Sequence, residues 1–150
     1  MTEALLSPWV KKLDLQPHPE GGWYKRLWEA SFEIPKDVLD PKYSGPRPAA
    51  TSIYFLLHPH EFSKWHRVYS DELWMWHSGS PLLLVLGGDD DQPGERTEII
   101  LGMDLEKGQV PQALVPANVW QEARPLGDEP ILVSCVVSPG FHFDDFTMID

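Results

Sequence analysis

The hydrophobic positions of this chain change their period once, near its start. Between residues 3 and 13, Leu5, Leu6, Trp9, Val10 and Leu13 fall near helical spacing, which predicts one short helix. Ser7-Pro8 offers an alternative start, with Ser7 as N-cap and Pro8 at the first helical position. The stretch Gln16 to Gly22, QPHPEGG, interrupts regular structure through its prolines and glycines. Beyond it the apolar residues alternate or form short runs. The strands this predicts are Trp23–Glu29, Ala50–Leu57, Ser63–Val68, Glu72–Ser78, Leu82–Leu86, Arg96–Leu101, Ala113–Val115, Trp120–Ala123, Pro130–Val137 and Asp145–Met148. Pro/Gly punctuation separates them, as at Gly79-Ser80-Pro81, Gly87-Gly88 and Pro139-Gly140. Many short strands between such turns predict an all-β sandwich or barrel. Ile34 to Pro48, with four prolines, reads as an exposed loop, and Asp89 to Glu95 as a hairpin tip. No internal repeat or long linker divides the chain, so residues 1–150 are expected to form a single domain.

Composition narrows the class. A chain of 150 residues with 42% hydrophobic and 23% charged residues is an ordinary globular one. The lone cysteine, Cys135, excludes an intramolecular disulfide and sits in an apolar run, where it reads as a small buried hydrophobe. No run of about 18 apolar residues predicts a membrane-spanning helix. Residues 1–8 carry no basic cluster of the kind a signal peptide has, so the expected compartment is cytoplasmic. The net charge is −11 and uneven: residues 1–67 carry nine basic and eight acidic side chains, residues 68–150 three and fifteen. Nothing in that distribution resembles the basic footprint of a nucleic-acid binder.

The candidate chemistry lies in Ser63 to Gly79, SKWHRVYSDELWMWHSG. Strand alternation sends His66 and Val68 to one face, and Glu72, Trp74 and Trp76 to one face. An imidazole and a carboxylate projecting into one apolar cavity can serve as metal ligands or as an acid/base pair.

The segment resembles the first motif of the cupins. His66 matches its first His, Glu72 its Glu and Gly79 its closing Gly, while Val68 stands where the second His belongs. Residues 102–123 resemble the second motif, with Gly102 or Gly108 leading and Pro116 matching its Pro. Asn118 stands in the Gly position and Gln121 in the His position. Asn tolerates the left-handed conformation that Gly otherwise supplies. The chain is similar over nearly its whole length to the single-domain Cupin_5 group, through HPEGGWY (His18–Tyr24), TSIYFLL (Thr51–Leu57), Trp65–Gly79, LVPANVWQEARP (Leu114–Pro125) and SPGFHFDDF (Ser138–Phe146). The resemblance implies an antiparallel jelly-roll barrel, commonly dimeric and related in shape to keto-sugar epimerases, and it carries no established activity.

From these residues we expect His66, Glu72 and Gln121 to face one cavity with Trp74 or Trp76 in its wall. His66 would be a general base tuned by Glu72, with Tyr54, on a neighbouring strand, as the acid. Gln121 would hydrogen-bond a ligand, weakly coordinate a metal, or satisfy Glu72. The two tryptophans are either core or an aromatic wall for a planar or sugar-like ligand. Arg26 is a ligand-binding candidate that could reach an anionic group, and Lys25 reads as solvated. His18 reads as a loop hydrogen bond with Glu20 beside it, His77 as a surface residue, and Asp144 and Asp145 as a turn or surface pair. Val68 and Gln121 leave at most a weak metal site at His66, Glu72 and Gln121, so no cofactor is expected. The expected activity is metal-independent isomerisation or epimerisation of a small polar, sugar-like molecule. The alternatives are a non-catalytic ligand-binding cupin and a metal enzyme with an incomplete ligand set. Seven tryptophans exceed what one small core needs, which with the resemblance leads us to expect a homodimer.

Overall fold

The computed structural model describes residues 6–149. Residues 3–5 of the expected helix lie outside them. Helix α1 covers only Pro8–Lys12, and the alternative start is the one used: the Ser7 hydroxyl accepts the Trp9 N–H at 3.2 Å, with Pro8 just inside. The helix ends at once because Asp14 takes a left-handed conformation, φ 56°.

Thirteen strands follow among the described residues: β1 Gln16–Pro17, β2 Trp23–Glu29, β3 Glu33–Ile34, β4 Arg47–Pro48, β5 Thr51–Leu57, β6 Ser63–Val68, β7 Asp71–Ser78, β8 Leu82–Leu86, β9 Thr97–Leu101, β10 Gln112–Val115, β11 Gln121–Pro125, β12 Ile131–Ser138 and β13 Phe146–Met148. A six-stranded sheet runs β1-β2-β5-β12-β7-β10 and a five-stranded sheet runs β13-β6-β11-β8-β9. Every neighbouring pair in them is antiparallel. This is the jelly roll that the motifs imply.

Alternation places the core between the sheets. On β12, Ile131, Val133, Cys135 and Val137 are buried and their neighbours are less so. The first three pack with Phe55, Leu57, Trp74, Leu82, Leu84 and Leu101. Two turn positions confirm the motif reading. Asn118 adopts φ 67°, the left-handed conformation expected where the motif has Gly. Gly79 has φ 104°, and a Cβ there would stand 1.9 Å from the Pro130 carbonyl oxygen.

The loop over 34–48 departs from expectation. Its ends pair as the β3–β4 ladder, and Tyr43 and Arg47 are buried. Asp145, expected in a turn or surface pair, is buried as well: Arg47 binds its two oxygens at 2.9 and 2.7 Å. Removing both charges from water is tolerated because guanidinium and carboxylate meet in bidentate geometry.

Candidate functional site

A cavity of about 330 Å³ opens between the two sheets. Its walls follow from strand parity. Strand β5 contributes Thr51 and Ile53, β12 Cys135 and Val137, β6 His66 and Val68, β7 Glu72, and β2 Tyr24 and Arg26. The HPEGG turn adds His18 and Glu20, and the segment before β13 adds Phe141, His142 and Phe143. Register keeps them together: Ile53 stands opposite both Arg26 and Cys135, and Val137 opposite both Thr51 and Glu72.

Four titratable groups form the buried floor. His66 is fixed by its Nδ1, which lies 2.8 Å from the Lys64 carbonyl oxygen. That contact requires Nδ1–H, so in the neutral ring Nε2 carries the lone pair. Nε2 stands 3.4 Å from Glu20 Oε1, just beyond hydrogen-bonding distance. Burial holds the His66 pKa below its ordinary value, with Glu72 pulling the other way. Glu20 is raised to about 8 by burial, although the Ser63 hydroxyl donates to it. At neutral pH it is therefore mostly a carboxylic acid beside an imidazole lone pair.

His18 accepts the Glu20 backbone N–H at Nδ1, 3.1 Å, so its own proton sits on Nε2. Burial, with His66 adding repulsion, lowers its pKa to about 3. Its ring packs edge-on to Tyr24, centroids 4.5 Å apart. Glu72 is raised, chiefly by burial, and accepts the Gln121 side-chain N–H at 2.9 Å. Gln121 in turn accepts Trp74 Nε1–H at 2.9 Å. Cys135 lines the same cavity, and burial pushes its pKa well up, so it stays a thiol.

His66, Glu72 and Arg26 of the expected set line this cavity. Gln121 does not: it is fully buried behind Glu72, both ends of its amide engaged. Trp74 shares the inward face of β7 but lies beyond the cavity in the core, edge-on to Phe55 at 5.9 Å. Trp76 packs against the same core and donates to the Ser80 carbonyl at 3.0 Å. Neither tryptophan walls the cavity. Tyr54 is also outside it, because Ile53 lines the cavity and Phe55 packs into the core, and the residue between two inward ones must face out. Geometry gives Tyr54 no access to His66. Lys25 is solvated, paired with Asp14 at 2.9 Å, and His77 is exposed. His18 makes the expected loop hydrogen bond and lines the cavity too.

Sequence reasoning missed Glu20 as a site residue, along with the Phe141–Phe143 wall. The signal was present in the HPEGGWY and SPGFHFDDF blocks, which spacing within one strand cannot connect to His66.

The donor set does not fit a four-ligand cupin metal centre. Val68 supplies no donor, and the Gln121 oxygen is committed to Trp74. The weak site expected at His66, Glu72 and Gln121 thus lacks its third ligand. Among the described residues, no group of three or more His, Cys, Asp or Glu is arranged to hold a metal ion.

Residues 7–149 match the family described as Cupin superfamily (DUF985), Cupin_5. A solved structure of a Shewanella oneidensis protein is 38% identical, covering 95% of this chain and 82% of that one, with a TM-score of 0.81. A hypothetical protein from Leishmania major is 33% identical, covering 94% and 85%, also with a TM-score of 0.81. An uncharacterised protein of Saccharomyces cerevisiae is 27% identical over 98% of this chain and 74% of its own length. A capsular polysaccharide assembling protein from Staphylococcus aureus shares the fold alone, at 12% identity and a TM-score of 0.64 over 91% of this chain and 31% of that one.

Proposed function

This chain belongs to the Cupin_5 family, whose barrel is a small-molecule-binding fold, and we propose that its cavity transfers a proton on a small polar carbonyl compound, as an isomerase or epimerase does, without a metal. The observation that carries the reading is the pairing of the His66 Nε2 lone pair with the neutral Glu20 carboxyl, 3.4 Å apart on a buried floor.

In the proposed step, His66 Nε2 removes a proton from the carbon beside the substrate carbonyl. The electron pair left on carbon forms the enolate C=C bond, and the carbonyl oxygen takes the charge. Glu20 or the Nε2–H of His18 hydrogen-bonds that oxygen where charge develops. The enolate then turns its other face to His66, the imidazolium returns its proton to that face of the same carbon, and the carbonyl reforms. Glu72 favours the transient imidazolium, since its charge raises the His66 pKa. A positioned general base contributes roughly 10²–10⁴-fold. Activity should fall above pH 8 as Glu20 ionises.

The test is deuterium exchange in heavy water, followed by NMR on a panel of aldoses, ketoses and oxo acids. At least one member should lose its C–H signal beside the carbonyl, and His66→Gln should slow that loss by about 10²-fold or more. Exchange with no panel member, or exchange unaffected by His66→Gln, would overturn the proposal.

A further inference from the structure

The cavity has a polar floor, apolar walls and a rim bearing a single fixed cation. Arg26 is the one guanidinium or ammonium group among the described residues that line it. Its position is built: one terminal nitrogen donates to the Phe141 carbonyl at 2.9 Å, tying it to the wall. The other terminal nitrogen donates to Glu29 at 3.2 Å, in an exposed (i, i+3) pair with Glu29 57% accessible. Such surface pairs are weak, so an incoming anion displaces Glu29 readily. The apolar residues of the wall are Ile53, Val68, Val137, Phe141 and Phe143. They leave few partners for the hydroxyls of a sugar, and a cavity of about 330 Å³ is at the small end for ligand sites.

We infer that the substrate is a small oxo acid, with its carboxylate on Arg26, a short apolar body between the walls, and an enolisable carbonyl at the His66 floor. The inference rests on the proton-transfer reading for the carbonyl end, while the carboxylate end stands on Arg26 and the apolar walls alone. The planar guanidinium suits a carboxylate because parallel N–H groups can meet both oxygens. One cation serves one carboxylate; a nucleotide would bring more charge than this rim can match.

Calorimetric titration tests it with 4-oxopentanoate, 5-oxohexanoate and 4-oxo-4-phenylbutanoate, each against its primary amide. At least one acid should bind, and about tenfold or more tighter than its amide, a difference of about 1.4 kcal/mol. Arg26→Met should abolish the preference, and Arg26→Lys should keep part of it, because charge survives without the fork. Arg26 is exposed, so neither change threatens the fold. Failure of all three acids to bind, equal binding of acid and amide, or a preference surviving Arg26→Met would each overturn the inference. His66→Gln should leave the acid-to-amide ratio intact. An intact ratio without deuterium exchange would overturn proton transfer and leave the carboxylate specificity standing.

Discussion

At the scale of single residues, Glu20 shows how a site is made by taking a carboxyl out of water. Its raised pKa means the folded protein holds the proton more tightly than the unfolded chain. That stability is fully present below the unfolded value of 4.5 and is lost as pH rises through about 8. His18 has the opposite sign: it stays neutral when folded, so its contribution is lost as pH falls from 6.5 toward 3. We therefore predict that Glu20→Gln flattens the fall in stability between pH 5 and 8, which for Glu20 alone reaches about 1 kcal/mol per pH unit. Urea unfolding of both proteins across that range measures it, and parallel curves would contradict it.

Between elements, two connections hold the site together. The HPEGG turn closes on itself through His18 N–H to the Gly22 carbonyl and Gly21 N–H to the His18 carbonyl, both 2.9 Å. Gly21 takes φ 110°, and a Cβ there would stand 2.2 Å from the Phe62 carbonyl oxygen, directly before β6. Gly21→Ala should therefore destabilise by more than the about 1 kcal/mol that a mid-element glycine difference is worth, and should displace Glu20 from His66. A melting temperature equal to wild type would refute this. The second connection is Arg47 with Asp145, which fastens the 34–48 loop beneath the Phe141–Phe143 wall. Arg47→Met strands a buried carboxylate and should cost about 3–5 kcal/mol. The double variant Arg47→Met/Asp145→Leu should recover much of that loss, because no uncompensated charge remains. Unfolding of all three variants in denaturant decides it.

At the scale of the molecule, the barrel distributes a polar network through an apolar core without leaving a described buried side-chain polar atom unpaired. Trp74, Gln121 and Glu72 form one chain across the inter-sheet space, joining the core to the cavity floor. Such a network holds the Gln121 amide in place as structure, so metal binding should contribute nothing to stability. The melting temperature should not change with a strong chelator or with added manganese, iron, nickel or zinc. A clear rise with any of them, abolished by His66→Ala, would show that the donor set had been misjudged. The homodimer expected from the sequence predicts a light-scattering mass of twice 17.1 kDa at micromolar concentration, and a mass near one chain would count against it.

Much of this protein is readable locally. Period-two runs and Pro/Gly turns are enough for the strands, because alternation and backbone freedom act within a few residues. The motif spacing likewise set His66 and Glu72 into one cavity and foretold the left-handed Asn118. Tertiary structure alone decided what those residues meet. Parity assigned Trp74 to the inner face, but only packing against Phe55 made it core rather than wall. Parity also left Tyr54 free to point either way, until Ile53 facing the cavity and Phe55 buried in the core turned it out. Glu20 and His66 lie 46 positions apart in sequence, and Arg47 and Asp145 lie 98 apart. No periodicity spans such distances. It takes closure of the two sheets to bring each pair out of water, and desolvation then shifts the protons on which the site depends.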